Sequence, residues 1–273
     1  MRAWAGLAGT VFALLFVAPA WSAARVLSLD QCADQYVLAL SPRAAIVGLS
    51  NRVLNADSYL REEARGLPRR RADSESALGA RPAVVVRYWG GEPRLLADLA
   101  RRGVRVVRIE DAEDFAGVRR NIRAVAAALA QRAAGERLIE AMNRRLAGAA
   151  GAWRGQGALY LTSGGATAGR RTLIDAMLRA AGLTNLAGGA GYHEVSLERL
   201  VMTKPSAIVE GFFDAAADAA QHWGFGRHRV VRRLAARRAV VSLPGAVLGC
   251  PAWFAADGVS AIAQAATPPR SGV

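Results

Sequence analysis

Apolar positions along the chain follow two periods. Between residues 132 and 150 the run RAAGERLIEAMNRRLAGAA places Leu138, Ile139, Met142 and Leu146 on one face, spaced by one, three and four residues. That spacing predicts a single amphipathic helix. Short β-branched runs lie on both sides of it, ESALGARPAVVV at 75–86 and ERLVMTKPSAIV at 198–209. In each, a glutamate stands seven residues before a proline and the apolar run follows directly. Proline lacks the amide that would continue a helix and pushes its predecessor out of the α region, so each copy reads as a short helix and then a strand buried on both faces.

Two further pairs extend the repetition. RVLSLDQCADQYVLALSPRAAIVGLS at 25–50 parallels ALYLTSGGATAGRRTLIDAMLRAAGLTNLA at 158–187: strand, polar loop, amphipathic helix, turn and more apolar chain. GVRVVRIE at 103–110 and RAVVSLPG at 238–245 are both strands behind a basic helix end. The pattern predicts an α/β fold of two Rossmann-like lobes, each with a mostly parallel sheet, joined by a rigid bridging helix. The expected divisions are a leader at 1–24, an N-terminal lobe at 25–130, the bridging helix at 131–151 and a C-terminal lobe at 152–268. A length of 273 residues suits two lobes with a core each.

The first residues change the compartment. Arg2, the apolar stretch from Leu7 to Ala18 and the small residues Ala20, Ser22 and Ala24 fit an export signal cleaved after Ser22 or Ala24, with an uncleaved anchor as the alternative. The formal charge of +14 raises nucleic acid as a partner, but one lysine accompanies 35 arginines and these are spread along the chain rather than gathered in one stripe. A spread of that kind is a solvated basic surface, so no nucleic-acid partner is expected.

Candidate chemistry gathers at strand ends, where open α/β sheets bind ligands. Asp34 and Gln35 follow the first strand, with Asp34 equally readable as a helix N-cap. Tyr88 and Trp89 precede two glycines at the end of VVVRYWGG, and Tyr192, Phe212 and Trp253 occupy loops of the second half. Tyr88, Trp89 and Trp253 are expected to form an aromatic wall. The run RRR at Arg69–Arg71 reads as solvated, and the glycine-rich loop at 162–172 matches no phosphate-binding fingerprint. Cys32 and Cys250, one in each half, read as a disulfide in an exported chain. Two cleft thiols touching a ligand, or a Cys–His193 nucleophile–base pair in an exported enzyme, are the alternatives. Bare zinc or manganese would need more imidazole than His193, His222 and His228 supply.

The opening segment, ESALGARPAVVVRYWGG, TAGRRTLIDAMLRAAGLTNL and LERLVMTKPSAIVEG, in that order around a bridging helix, resemble the periplasmic substrate-binding proteins of ABC importers for metal chelates, which carry ferric siderophores, haem or vitamin B12. The resemblance covers about residues 25–266. It implies a monomer with a ligand in the interlobe cleft, an inner-membrane permease as partner, and neither a catalytic residue, a resident metal nor a cofactor. It implies that Glu75 and Glu198 dock on permease arginines, that Tyr88 and Trp89 match cleft aromatics of the vitamin B12 binder, and that Thr167, Ala168 and Gly169 match its second-lobe contact loop. Within the family the basic charge suits an anionic ferric chelate better than a neutral corrinoid.

Overall fold

The computed structural model describes residues 24–212, 229 and 238–266. The expected leader up to Ala23, Phe213, Asp214, His222, His228 and the tail from Thr267 lie outside the described residues.

The first half builds a parallel sheet from β1 (Val26–Ser28), β2 (Ile46–Ser50), β3 (Arg69–Arg70), β4 (Val84–Arg87) and β5 (Arg105–Arg108), in the order β3-β2-β1-β4-β5. The second half repeats it with β6 (Gly157–Thr162), β8 (Thr184–Asn185), β10 (Ala207–Gly211) and β11 (Ala239–Leu243), ordered β11-β10-β6-β8 and again parallel. Matching β6 to β1, β8 to β2, β10 to β4 and β11 to β5 makes the two orders coincide, with β3 as the extra edge strand of the first sheet. Two features escape the sequence pattern. Arg69 and Arg70, read as part of a solvated run, form the edge strand β3 beside Leu49 and Ser50. Inside the glycine-rich loop, β7 (Ala166–Ala168) pairs antiparallel with β9 (Tyr192–Glu194).

Strand alternation explains why the runs are apolar throughout. Val26, Val84 and Val86 face the main core, whereas Leu27 and Val85 face an outer layer with Leu95 and Leu99. Ala158, Tyr160, Ala207 and Val209 likewise face inward, and Leu159, Leu161 and Ile208 outward. Each central strand is thus buried on both faces, as parallel sheets require. The outer layers are capped by α2 (Ser74–Gly79), α3 (Pro93–Arg101) and α7 (Leu197–Thr203). The remaining described helices are α1 (Gln31–Leu40), α4 (Phe115–Ala128), α5 (Arg132–Ala149), α6 (Leu173–Ala180), α8 (Gly245–Leu248) and α9 (Ala255–Gln264).

Helix α5 is the bridging helix, 18 residues long, which at 1.5 Å per residue spans about 27 Å. It packs on α4 of the first half and α9 of the second. Met142 and Ile139 are buried there, Arg119 on α4 donates to Asn143, and Arg145 pairs with Asp257 on α9 at 2.8 Å. Further ties cross between the halves. Cys32 on α1 is disulfide-bonded to Cys250. The Tyr36 hydroxyl donates to the Pro251 carbonyl at 2.6 Å, and Tyr59 stacks on Phe254 with ring centroids 4.3 Å apart while donating to Asp257.

Candidate functional site

Helix α1 begins four residues earlier than the pattern around Asp34 suggests, because Asp30 is its N-cap. The Asp30 carboxylate accepts from the Ala33 amide at 2.9 Å, and its second oxygen accepts from the amides of Tyr88 at 2.6 Å and Gly90 at 2.9 Å. One buried carboxylate therefore fixes the end of β1, the start of α1 and the loop behind β4. Gly90 is required there, since a Cβ on it would sit 2.5 Å from the Leu29 carbonyl oxygen. This loop carries Tyr88.

Tyr88 opens onto a cavity of about 390 Å³ between the two halves, within the range of small-ligand sites. The first half contributes Tyr88 and, behind β5, Asp111 and Glu113; the second contributes Arg171, Leu173, Met177, Tyr192, Leu248 and Pro251. The Tyr88 hydroxyl donates to Asp111. Burial, and then the bond to anionic Asp111, pushes the Tyr88 phenol well above its ordinary value, so it stays neutral and offers a flat apolar face with a polar tip. Tyr192 is 66% exposed across the cleft. Arg171 forms a forked ion pair with Glu113 from the opposite half, Nε and Nη2 lying 3.1 and 3.0 Å from its two carboxylate oxygens. The guanidinium holds the Glu113 carboxyl below the usual carboxylate range.

Of the residues expected at the ligand, Tyr88 and Tyr192 line this cleft. Phe212 packs beside Gly245 in a left-handed conformation, φ 61°. Trp89 is 55% exposed but faces away into a separate groove with Arg52, Arg70 and Arg71. Four other expectations meet buried positions. Asp34 bonds the Ser50 amide and hydroxyl at 2.8 and 2.5 Å. Gln35 bridges the Gln31 carbonyl, the Ser58 hydroxyl and the Leu60 amide. Thr167 donates to the Tyr160 carbonyl at 2.6 Å, which fastens β7 to β6. Trp253 is only 7% exposed and packs edge-on against Tyr36 and Phe254, so it is core and not part of a wall with Tyr88. Glu75 and Glu198 are exposed in the first turns of α2 and α7, behind the caps Asp73 and Ser196. Asp30, Asp111, Glu113 and Arg171 went unmarked in the sequence. Asp111 and Glu113 follow β5 at its carboxyl end, the same signal that marked Tyr88.

The Asp34 carboxyl gives a pH prediction. Burial raises it from 3.8 to about 6 against the opposing hydrogen bonds from Ser50. The folded state then binds the proton more tightly than the unfolded chain, so stability should fall as pH rises from about 4 to 6 and level off above. Asp34→Asn keeps an acceptor for the Ser50 amide and a donor toward its hydroxyl. Its melting temperature should lose that part of the pH dependence and match or exceed the wild type at pH 7; an unchanged pH profile would refute the assignment.

Both thiols are consumed in the disulfide, and the His193 ring lies within 3.3 Å of the Ala187 carbonyl, so no Cys–His pair is assembled. Among the described residues, no three His, Cys, Asp or Glu side chains converge as a metal site, and no helix is long and apolar enough to cross a membrane.

No sequence among curated proteins matches the chain. Solved structures do. The periplasmic haem-binding protein RhuT from Roseiflexus sp. RS-1 shares 24% identity at a TM-score of 0.69, covering 90% of this chain and 100% of its own. The periplasmic haem-binding protein BhuT in complex with two haems shares 26% at 0.66, covering 90% and 100%. The vitamin B12 binding protein BtuF of Vibrio cholerae shares 18% at 0.60, covering 89% and 96%. The family model described as periplasmic binding protein matches residues 26–210, which take in all of the first sheet, the bridging helix and most of the second. With paired parallel sheets, a long helix between them and a cleft at their strand ends, this chain belongs to the periplasmic binding protein family.

Proposed function

We propose that this protein is the periplasmic substrate-binding component of an ABC importer, capturing a metal chelate in the interlobe cleft and delivering it to an inner-membrane permease. Residues 25–130 and 152–268 are its lobes, residues 1–24 its export signal, and it works as a monomer without catalysis. The observation that carries the reading is the cleft of about 390 Å³ whose walls come from both halves and present Tyr88 and Tyr192 over apolar side chains. Flat phenol rings over Leu173, Met177 and Leu248 suit a rigid, flat chelate. The 26% identical BhuT, solved with two haems, supports a tetrapyrrole within that class.

Glu75 and Glu198 occupy equivalent helix starts in the two repeats, and one on each lobe suits a permease built from two similar subunits. Exposed carboxylates of this kind set orientation and encounter more than ligand affinity.

The test has two readouts. Equilibrium dialysis of the purified protein should retain haemin, cyanocobalamin or a ferric siderophore, and retention of none of them would overturn the chelate reading. In proteoliposomes with the cognate permease, Glu75→Ala with Glu198→Ala should abolish ATPase stimulation while leaving chelate affinity unchanged. A double mutant that loses the chelate and still stimulates would move the glutamates into the binding site.

A further inference from the structure

Arg171 is presented in an unusual way. Its backbone lies in the left-handed region at φ 61°, a conformation that a long unbranched residue adopts only when its surroundings enforce it. They do so on both sides. Gly169 lies so close to the Gly188 carbonyl that a Cβ would be 2.4 Å from its oxygen. Thr172 donates to the Gly169 carbonyl at 2.8 Å and caps α6 by accepting from the Asp175 amide at 3.1 Å. The result is a guanidinium held at the mouth of the cleft, where it meets Glu113 of the other half.

The pair is well formed but exposed, with the Arg171 and Glu113 side chains 74% and 52% accessible. Exposed pairs contribute little to stability. Glu113 occupies one edge of the fork, Nε and Nη2, and leaves Nη1 without a partner among the described residues. A guanidinium can receive a second carboxylate at that free edge before it releases the first.

We propose that Arg171 is the specificity-determining residue of the cleft: it receives a peripheral carboxylate of the chelate, and Glu113 holds it in place until that carboxylate arrives. The inference rests on the cleft being the chelate site and narrows the ligand to chelates that carry carboxylates. Glu113 then acts as an internal competitor. A neutral chelate gains nothing from Arg171 and leaves the ion pair closed. An anionic one exchanges partners with Glu113, and Arg171 passes from the opposite lobe to the ligand. A formal charge of +14 on the whole chain favours the approach of such a ligand.

The test compares haemin with its dimethyl ester, which differ in their carboxylates alone, for the wild type, Arg171→Gly and Glu113→Gln. Glycine suits a positive φ, so Arg171→Gly should hold or raise the melting temperature while weakening haemin binding about tenfold, the scale of one lost charge-assisted contact. The ester should bind the wild type and this variant alike. Glu113→Gln removes the competitor and should tighten haemin about threefold. If the wild type binds ester and haemin equally, or if Glu113→Gln weakens haemin, the assignment fails. A fall in melting temperature with unchanged haemin affinity in Arg171→Gly would make the pair merely structural and would also sink it. Failure of haemin alone to bind overturns this assignment, whereas failure of the chelate reading beneath it requires siderophores and cobalamin to fail as well.

Discussion

Asp30→Asn should destabilise the protein by about 3–5 kcal/mol, the sum expected when charge-assisted hydrogen bonds worth about 1.5–3 kcal/mol each are lost from a buried site. The carboxylate offers one oxygen to the Ala33 amide and the other to the amides of Tyr88 and Gly90. An amide side chain has a single acceptor. Whichever way the substituted side chain turns, its NH₂ faces N–H donors, either at the helix cap or at the Tyr88 loop, and those donors are left unsatisfied. At roughly 2–4 °C per kcal/mol for a chain of this size, the melting temperature should fall by about 10 °C. The effect reaches the cleft, because the same carboxylate positions Tyr88; chelate affinity should drop along with stability. Urea unfolding and a haemin titration on one preparation would measure both, and a variant within about 1 kcal/mol of the wild type would refute the role given to Asp30.

The second large effect belongs to the disulfide. Cys32 and Cys250 are 218 residues apart in sequence, and the chain-entropy relation for a loop of that length gives about 5 kcal/mol of stabilisation through the unfolded state. Both cysteines are buried, so replacement by serine adds a smaller cost for polar groups in that setting. Cys32→Ser with Cys250→Ser should therefore lower the melting temperature by roughly 10 °C or more. Alkylation of the unreduced wild type should label no thiol, and a double variant that melts like the wild type would show that the other interlobe contacts suffice alone.

How far the sequence foretells this molecule depends on whether a feature is written in local pattern or in long-range contact. The duplicated helix–proline–strand unit is local, and it yields two halves with a mostly parallel sheet in each, whereas the strand orders are set by long-range pairing. The bridging helix runs Arg132–Ala149, inside the expected 131–151. Asp34 and Asp30 show where the pattern stops helping. Both precede or open an apolar helix with cap-type residues, and the choice between them is made by Ser50, Tyr88 and Gly90, which are distant in sequence. Trp89 and Trp253 are a second case. An aromatic behind a strand end signals a site, but the side chain of Trp89 leaves the backbone opposite to that of Tyr88, and Trp253 is drawn into the core by Tyr36. Arg69 and Arg70 read as solvated by charge, yet an edge strand tolerates exposed arginines and even gains from them. Arg171 and Glu113 come from different halves, and no spacing rule links residues that meet only across a cleft.

The ties between the halves bear on how a bound ligand leaves. A helix packed on both lobes, a disulfide, the Tyr36–Pro251 bond and the Tyr59–Asp257–Arg145 cluster all resist opening. They hold the two walls of the cleft at a nearly fixed separation, so a ligand that fits meets a preorganised site. In the role proposed above, a bound ligand then passes to a permease through a small rocking of the lobes rather than through a wide hinge opening.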